Sequence, residues 1–302
     1  MAQPKVLASV SERANYWKLF LVRFREQSYF FILTLPAIVL LVFLFLYPLV
    51  SFFTRSLFDP SWTTEHYVQA VTGAAWGKIF LNTFEISLFT TLAVLFLGYP
   101  LAYLLATISN RRVRNLLLPL VVIPFWTSVL VRSYAWIGVL GRKGLLNVAL
   151  TDLGLISSPL ALLYNRPGVY IGMIHFLLPF MIFAIFAVMR GIPQTLLQAA
   201  EGLGASPLRS FLRVYFPLSL PGVGAGCLLV FILALGFFII PALLGGPKEV
   251  MLSMIIQQQI SEALNWGFAA ALSVILLILT LGLYLIYNRF MSFERLYGGE
   301  KR

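Results

Sequence analysis

Six apolar runs, each long enough to cross a bilayer as a helix, restrict the fold more than any other feature of the sequence. A helix needs about 20 apolar residues to cross roughly 30 Å of hydrocarbon. The chain is 60% hydrophobic and only 11% charged, whereas a soluble domain carries about 25% charged residues. We therefore predict an all-α membrane protein with six transmembrane helices. The predicted spans are residues 29–53, 83–108, 116–140, 168–189, 219–245 and 267–288.

The distribution of basic residues predicts the orientation of these spans. Lys and Arg accumulate in the cytoplasmic segments of membrane proteins. With the N-terminus inside, fifteen of them fall in cytoplasmic segments and six outside, so both termini are predicted to be cytoplasmic. The predicted organisation is a cytoplasmic segment (residues 1–28), a transmembrane domain (29–290) and a cytoplasmic tail (291–302). Because the basic residues are scattered singly, a nucleic-acid partner is not expected.

The sequence carries no pattern typical of a catalytic or metal site. The segment GAAWGKI has the wrong spacing for a phosphate-binding loop and lacks its final Ser or Thr. The two histidines, His66 and His175, are far apart in the chain, and no nucleophile elbow occurs. We therefore predict no catalytic residue, no metal and no cofactor in this chain. Cys227, the single cysteine, lies in an apolar run and is predicted to be a packing residue.

Prolines recur inside the predicted spans. Each one removes a helical hydrogen bond that lipid cannot replace, so neighbouring helices must satisfy the freed carbonyl. Kinked helices packed against protein favour a transporter or channel over a passive anchor. The prolines concerned are Pro36, Pro48, Pro100, Pro119, Pro124, Pro179 and Pro241.

The stretch QAAEGLGASPLRSFLRVYFPLSLPG, residues 198–222, interrupts the apolar pattern between the fourth and fifth spans. Pro193 suits the first turn of a short helix that Gly204 would end, and Ser206 suits the N-cap of a second helix. We predict that FPLSLPG ends this second helix and leads into the fifth span. The resulting elbow, residues 192–217, faces the cytoplasm. It either rests on lipid headgroups or inserts into a cytoplasmic protein.

The apolar residues of the elbow recur at helical spacing, which predicts one apolar face on each of its helices. Those of the first helix are Leu196, Leu197, Ala200 and Leu203. Those of the second helix are Leu208, Phe211, Leu212 and Tyr215.

The spacing of small residues in the elbow resembles the EAA loop of ABC importer permeases, which has the form E-A-A-x3-G-x9-I-x-L-P. The matching positions are Ala199, Ala200, Gly204 and Pro217. The departures are Gln198 for Glu, Val214 for Ile and Phe216 for Leu. Gln198 removes a carboxylate, and we hypothesise that Glu201, on the same helix face, restores that charge.

Further segments are similar to importer permeases of the spermidine/putrescine type, from about residue 30 to residue 290. They are LGYPLAYLLA (97–106), PFWTSVLVRSYAWIGVLGRKGLLN (124–147), LLPFMI (177–182), PGVGAGCLLVF (221–231), LLGG (243–246) and WGFAAALS (266–273). The resemblance implies a type I importer permease fold in the bacterial inner membrane.

The same resemblance implies a set of partners and a role for the elbow. The partners are a second permease, two ATP-binding subunits that hold ATP and Mg, and a periplasmic substrate-binding protein. The elbow would be the coupling helix that docks on an ATP-binding subunit. Its implied coupling residues are Gln198, Ala199, Ala200, Glu201, Gly204, Ala205, Ser206, Pro207, Arg209, Phe211 and Pro217.

Two charged residues in predicted spans are candidates for the substrate pathway. Arg132 either extends its head to the interface or makes a structural pair, and the resemblance favours a structural role in the outer gate region. Glu85 lies one turn into the second span, where it could attract a cationic substrate, pair with Arg132 or simply lie at the interface.

Three aromatic residues and one histidine complete the pathway candidates. Trp126, Tyr134 and Trp136 could hold ammonium groups by cation–π attraction or belong to an interfacial aromatic belt. His175 is expected to be a neutral packing residue, with contact to substrate as the alternative. The glycines Gly222, Gly224 and Gly226 permit either close helix packing or local unwinding of the fifth span.

The sequence thus predicts the permease subunit of an importer for a polyamine-like solute. The same machinery carrying an amino-acid derivative, a phosphonate or ferric iron is the first alternative. An ATP-independent channel or scaffold is the second, but such a protein has no need of the elbow.

Overall fold

The computed structural model describes residues 33–291, and its regular elements are helices apart from one isolated β-bridge between Phe58 and Trp62. The helices are α1 (Leu33–Thr54), α2 (Glu65–Thr72), α3 (Ala74–Thr107), α4 (Arg111–Trp126), α5 (Val129–Leu140), α6 (Leu145–Asp152), α7 (Arg166–Met189), α8 (Gln194–Gly202), α9 (Pro207–Leu235), α10 (Ile239–Leu244), α11 (Leu252–Ser261) and α12 (Trp266–Met291). The predicted segment 1–28 and all but the first residue of the predicted tail 291–302 lie outside the described residues.

The structure confirms the all-α membrane fold and places the predicted crossings on long apolar helices. Within residues 33–291, five helices are long and apolar enough to span a bilayer, namely α1, α3, α7, α9 and α12. A sixth crossing is present if α4 and the residues Val129–Asp152 count as one bent span. By internal packing the chain divides into Met1–Arg55, which contains α1, and Ser56–Arg302. The packing described below is that of the second unit.

The third predicted span, 116–140, is not one straight helix. The helix axis turns by 99° between α4 and the residues that follow Val129. The chain supplies local partners for the broken ends: the Thr127 hydroxyl donates to the Pro124 carbonyl at 2.9 Å. The Ser128 hydroxyl caps α5 by accepting the Leu130 N–H at 3.3 Å. Hydropathy marks this break only by a short dip at Trp126, Thr127 and Ser128, which the prediction of one continuous span over 116–140 passed over.

The fifth span begins earlier and ends sooner than the predicted 219–245. The second helix of the elbow does not stop at FPLSLPG but continues as α9 from Pro207 to Leu235. A π-helical segment, Phe211–Tyr215, precedes Pro217, and the Phe216 N–H bonds to the Phe211 carbonyl across this wider turn. The wider turn leaves room for a pyrrolidine ring that would clash with a regular α-helical turn. After Leu235 the chain breaks, and residues 239–244 form the separate helix α10.

The same device occurs in α1. There the π-helical segment Val42–Leu46 precedes Pro48 by the same spacing, and the Tyr47 N–H bonds to the Val42 carbonyl. Pro48, predicted to kink a span, and Pro217, in the stretch predicted to end the elbow helix, thus both follow π turns that keep the helix continuous.

With both termini predicted inside, three segments between the predicted spans fall outside as outer loops, and each of them contains a helix. Residues 54–79, 141–167 and 246–266 include α2, α6 and α11 respectively. The second span starts as early as Ala74, so Trp76 belongs to α3, and its ring packs edge-on against Phe268 of α12 at 5.0 Å. These short amphipathic helices, rather than coil, connect the ends of the spans.

Helix α7 lies at the centre of the second unit, packed against both α3 and α9. Its side chains are apolar all round, which is typical of a helix surrounded by others. The fully buried residues of α7 include Val169, Met173, Leu177, Met181 and Ile185. Cys227 of α9 packs, partly buried, against the same core, as predicted.

Gly222 and Gly226, in the middle of α9, serve close packing rather than unwinding, because the helix is continuous there. A Cβ on Gly222 would lie 2.9 Å from Val188 Cβ and 3.2 Å from Ile185 Cα, both on α7. A Cβ on Gly226 would meet Met181 Sδ at 2.7 Å. The absent side chains let the α9 backbone approach α7 directly.

We expect Gly222→Val to destabilise the protein, because the new side chain must push α9 away from a backbone atom of α7. The expected cost is about 1–3 kcal/mol, as for other overpacked cores, and is measured as a lower thermal midpoint in detergent. Gly282→Val on α12 is the matched control, since a Cβ there meets nothing within 4 Å. Equal midpoints for the two variants would contradict the proposed close contact.

Candidate functional site

The elbow between α7 and α9 has the local geometry that its sequence predicts. Helix α8 ends at Gly202, and Gly204 follows in the left-handed region with φ of +86°. The Ala205 N–H donates a hydrogen bond to the Ala200 carbonyl at 3.0 Å and so completes the C-terminal cap of the helix. The Ser206 hydroxyl accepts the Arg209 N–H at 3.4 Å and so caps the next helix, as predicted.

The apolar residues of the elbow divide between the protein interior and its surface. Tyr215 is buried, and Phe211 packs edge-on against Tyr103 of α3 at 5.2 Å between ring centres. Leu203 and Leu208, at the tip, are 91% and 68% exposed. The elbow is therefore anchored on one side and presents unpartnered leucines on the other, a pattern typical of a protein interaction site.

At the opposite ends of α3 and α7 lies a polar group that we call the Arg166 cluster, formed by Asn82, Glu85 and Arg166. The Arg166 guanidinium donates to Glu85 Oε1 and to Asn82 Oδ1, each at 2.6 Å. The Asn82 amide in turn donates to the Val250 carbonyl at 2.8 Å. One arginine thus joins α3 to α7, and Asn82 links both to the segment before α11.

The partner of Glu85 is Arg166, not Arg132 as one sequence-based alternative proposed. Arg166 was assigned to an outer loop, but it is the first residue of α7. A sequence signal for this start exists, because Asn165 caps the helix by accepting the Gly168 N–H at 3.1 Å and Pro167 stands in the first turn. Asn82 and Arg166 are therefore functional candidates that the sequence analysis missed.

Two aromatic rings lie one helical turn beyond the Arg166 cluster. Phe89 follows Glu85 on α3, Tyr170 follows Arg166 on α7, and their ring centres are 4.2 Å apart. The Glu85 side chain remains 61% exposed in spite of its ion pair. A carboxylate open to solvent beside aromatic faces is a combination suited to ammonium groups.

Arg132 has structural contacts at the bend between α4 and α5. Its guanidinium carbon lies 4.4 Å above the centre of the Phe176 ring on α7. One terminal nitrogen donates to the Thr127 carbonyl at 3.2 Å. The arginine thus binds the carbonyl exposed at the break and fixes α5 against α7, which agrees with the expected structural role.

Trp136 and His175 form a direct pair. The Trp136 Nε1–H donates to His175 Nδ1 at 3.1 Å. An imidazole nitrogen that accepts this bond carries no proton, so the ring is neutral with its hydrogen on Nε2. This geometry agrees with the interpretation of His175 as a hydrogen-bonded packing residue.

The remaining aromatic candidates stand apart from these groups. Trp126 is 87% exposed and Tyr134 is 63% exposed. The structure therefore brings Arg132, Trp136 and His175 together at the bend, whereas it places Glu85 in the Arg166 cluster and leaves Trp126 and Tyr134 on the surface.

Comparison with known proteins identifies the family. Residues 98–292 match the family described as binding-protein-dependent transport system inner membrane component. The chain belongs to this family. It is 38% identical over 242 residues to the spermidine/putrescine transport system permease protein PotB of Escherichia coli (strain K12), covering 79% of this chain and 87% of that protein. It is 37% identical over 243 residues to PotB of Haemophilus influenzae, covering 80% and 84%.

The fold agrees with this assignment to the inner-membrane components of such transport systems. A solved bacterial ABC transporter involved in the import of the acidic polysaccharide alginate matches with a TM-score of 0.74 at 19% identity, over 91% of this chain and 98% of that one. The family predicted from the elbow motif and its flanking segments is confirmed.

We expect Arg166→Met to destabilise the protein, because Glu85 and Asn82 both lose their partner. Hydrogen bonds to charged groups contribute about 1.5–3 kcal/mol each when buried and less when exposed, so a loss of about 1–2 kcal/mol is expected. The thermal midpoint in detergent measures it, with the exposed Arg142→Met as the control. The double variant Asn82→Ala/Arg166→Met should cost less than the sum of the single variants, and full additivity would contradict the linked network.

Proposed function

We propose that this chain is the membrane subunit of an ABC importer and forms half of the translocation pathway for a polyamine-like solute. The observation that carries this proposal is its identity of 38% to a spermidine/putrescine permease across 87% of that protein. The exposed carboxylate of Glu85 beside two aromatic rings supports a cationic solute.

The partners follow from the family. We assign to the complex a second permease, two ATP-binding subunits and a periplasmic substrate-binding protein. ATP and Mg belong to the ATP-binding subunits, and no cofactor and no covalent chemistry is assigned to this chain. In this arrangement the chain moves solute, and its partners supply the energy and most of the selectivity.

We orient the chain with both termini in the cytoplasm, on the basis of its basic residues. The transmembrane domain is then residues 29–290, between the cytoplasmic segments 1–28 and 291–302. The elbow lies on the cytoplasmic side and the Arg166 cluster on the periplasmic side. ATP-binding subunits would then reach the ends of α3 and α7 at the elbow. Substrate would reach the opposite ends, at the Arg166 cluster.

The elbow would couple ATP hydrolysis to the movement of the spans. Its second helix continues into α9 without a break, over 29 residues. Near the elbow, α9 is tied to α3 by a hydrogen bond of 2.9 Å between the hydroxyls of Tyr99 and Ser219. A displacement of the exposed tip at Leu203 and Leu208 would therefore move α9 as a lever and carry α3 and α7 with it.

The proposed coupling residues have different roles in this mechanism. Gly204 and Ser206 shape the elbow, while Phe211 anchors it on α3, helped by Tyr215, which is not a member of the proposed coupling set. Gln198, Glu201 and Arg209 are exposed on the elbow and are available to polar groups of a partner. The other members of the proposed coupling set are Ala199, Ala200, Ala205, Pro207 and Pro217.

The substrate pathway is proposed to include Glu85 at its periplasmic mouth. A substrate ammonium would compete with the Arg166 guanidinium for this carboxylate and pack on the ring of Phe89 or Tyr170. The exposed Trp126 and Tyr134 remain candidates for the same path, where aromatic faces suit a long cation. Arg132, Trp136 and His175 hold the bend in place beside it.

Two alternatives differ in what they require. The same machinery could import another small solute, such as an amino-acid derivative like GABA, a phosphonate or ferric iron, because the binding protein selects most of the substrate. An ATP-independent channel or scaffold would need neither an ATP-binding partner nor the exposed leucines of the elbow. Identifying the ligand of the cognate binding protein distinguishes an importer of polyamines from an importer of another solute. Co-purification of an ATP-binding subunit distinguishes an importer from a channel or scaffold.

We expect an ATP-binding subunit to co-purify with the wild-type chain and with Gly204→Asn, but not with Gly204→Val. Asn tolerates the left-handed φ of +86° at this position, whereas a β-branched residue does not. Both variants lose the glycine, but only Gly204→Val is expected to change the shape of the elbow. A difference between them therefore reports the effect of that shape on binding of the ATP-binding subunit. Retention of the ATP-binding subunit by Gly204→Val would contradict the coupling role, and its absence from the wild-type complex would contradict the importer.

We expect Glu85→Gln to lower the transport of labelled spermidine by the assembled importer in proteoliposomes. A loss of about tenfold corresponds to about 1.4 kcal/mol, a size appropriate to one lost carboxylate. Glu85→Asp keeps the charge and should retain more transport, and the exposed Glu65→Gln is the control for surface charge. Unchanged transport by Glu85→Gln would remove Glu85 from the pathway.

A further inference from the structure

A cavity of about 320 Å³ lies where α3 and α7 both end, and we call it the Arg114 cavity. Its lining includes Thr107, the last residue of α3, and Met189, the last residue of α7. The first turn of α4 contributes Arg114, and α8 of the elbow contributes Gln198 and Glu201. The cavity therefore lies at the level where the spans leave the hydrocarbon and joins the elbow to three of them.

The lining of the Arg114 cavity carries a net positive charge. Arg114 is half-buried and Arg190 is exposed. Among residues 33–291, neither guanidinium has an ion pair, since the ion pair found in that range joins Arg166 to Glu85. Glu201 is the single carboxylate in the lining, so two cations face one anion. A glutamate at position 198 would neutralise the cavity, and this chain has glutamine there.

The surface of the Arg114 cavity is divided into an apolar floor and a polar rim. The floor is formed by the buried Met189 and Ile192 and the half-buried Leu197. The rim carries the two guanidiniums and the amide of Gln198, all of which donate hydrogen bonds. A ligand that fits both parts has an anionic group attached to an apolar body and lies at the membrane interface.

We propose that the Arg114 cavity binds the anionic phosphodiester of a phospholipid headgroup. Guanidiniums bind phosphate oxygens through paired, charge-assisted hydrogen bonds. Basic cavities between membrane helices at the headgroup level are suited to anionic lipids. The glycerol and upper acyl chain would then cover the apolar floor. The bound lipid bridges α4, α7 and the elbow, so it would hold the elbow against the spans.

The test is a titration of the purified complex with phosphatidylglycerol, followed by native mass spectrometry of the bound lipid. We expect Arg114→Gln and Arg190→Gln each to weaken binding by about fivefold, the size expected for one basic residue near an anionic headgroup. Gln198→Glu should weaken it similarly, because it neutralises the cavity while keeping both arginines and the side-chain shape. Arg112→Gln, two residues before Arg114 and also on the first turn of α4, is the matched control and should bind as wild type does.

Three outcomes of the lipid titration would overturn the proposal, and a fourth comes from competition with inorganic phosphate. The first three are equal binding by wild type and Arg114→Gln/Arg190→Gln, an equal loss in the Arg112→Gln control, and equal affinity for phosphatidylcholine. Inorganic phosphate tests the source of the anion: if it displaces phosphatidylglycerol at millimolar concentration, the site takes a free anion rather than a lipid. The readout is lipid binding and not transport, so an error in the proposed solute would leave the result unchanged.

Discussion

The structure depends on one constraint, which is that every backbone polar group inside the hydrocarbon must be bonded within the protein. The prolines in the spans make this constraint severe, because each removes a donor. The responses differ: π turns before Pro48 and Pro217 keep their helices continuous, whereas the chain after Pro124 breaks and is capped by Thr127 and Ser128. Pro100, Pro119 and Pro179 lie inside continuous α-helices. Which response occurs decides whether a segment acts as a rigid lever or as a bend.

The continuity of α9 links the two ends of the protein. Because the π turn carries the helix through Pro217, the exposed tip of the elbow and the packed middle of the bundle belong to one element. Gly222 and Gly226 let that element pack closely on α7, Gly222 against its backbone and Gly226 against its side chains. The central helix α7 runs from the Arg166 cluster to the elbow, so both groups lie at the ends of one continuous helix.

Much of the molecule was predictable because it is encoded locally. A run of apolar residues is sufficient for a span, and Pro193, Gly204 and Ser206 are sufficient for the two-helix elbow. The exact limits of the spans were not predictable. The break after Trp126 coincides only with the short polar pair Thr127 and Ser128 in an otherwise apolar run. The elbow helix continues into the fifth span, although FPLSLPG was expected to end it, because a π turn accommodates the proline.

The sequence by itself determined the helical membrane fold, the elbow, and the family, since all three are written in residues close together in the chain. Only the tertiary structure decided which charges meet. Glu85 pairs with Arg166, 81 residues away, and Arg114 and Gln198 line one cavity where α3 and α7 end. Such pairings depend on how helices pack and on where each one starts, and a difference of one turn at a helix start moves a side chain to another face.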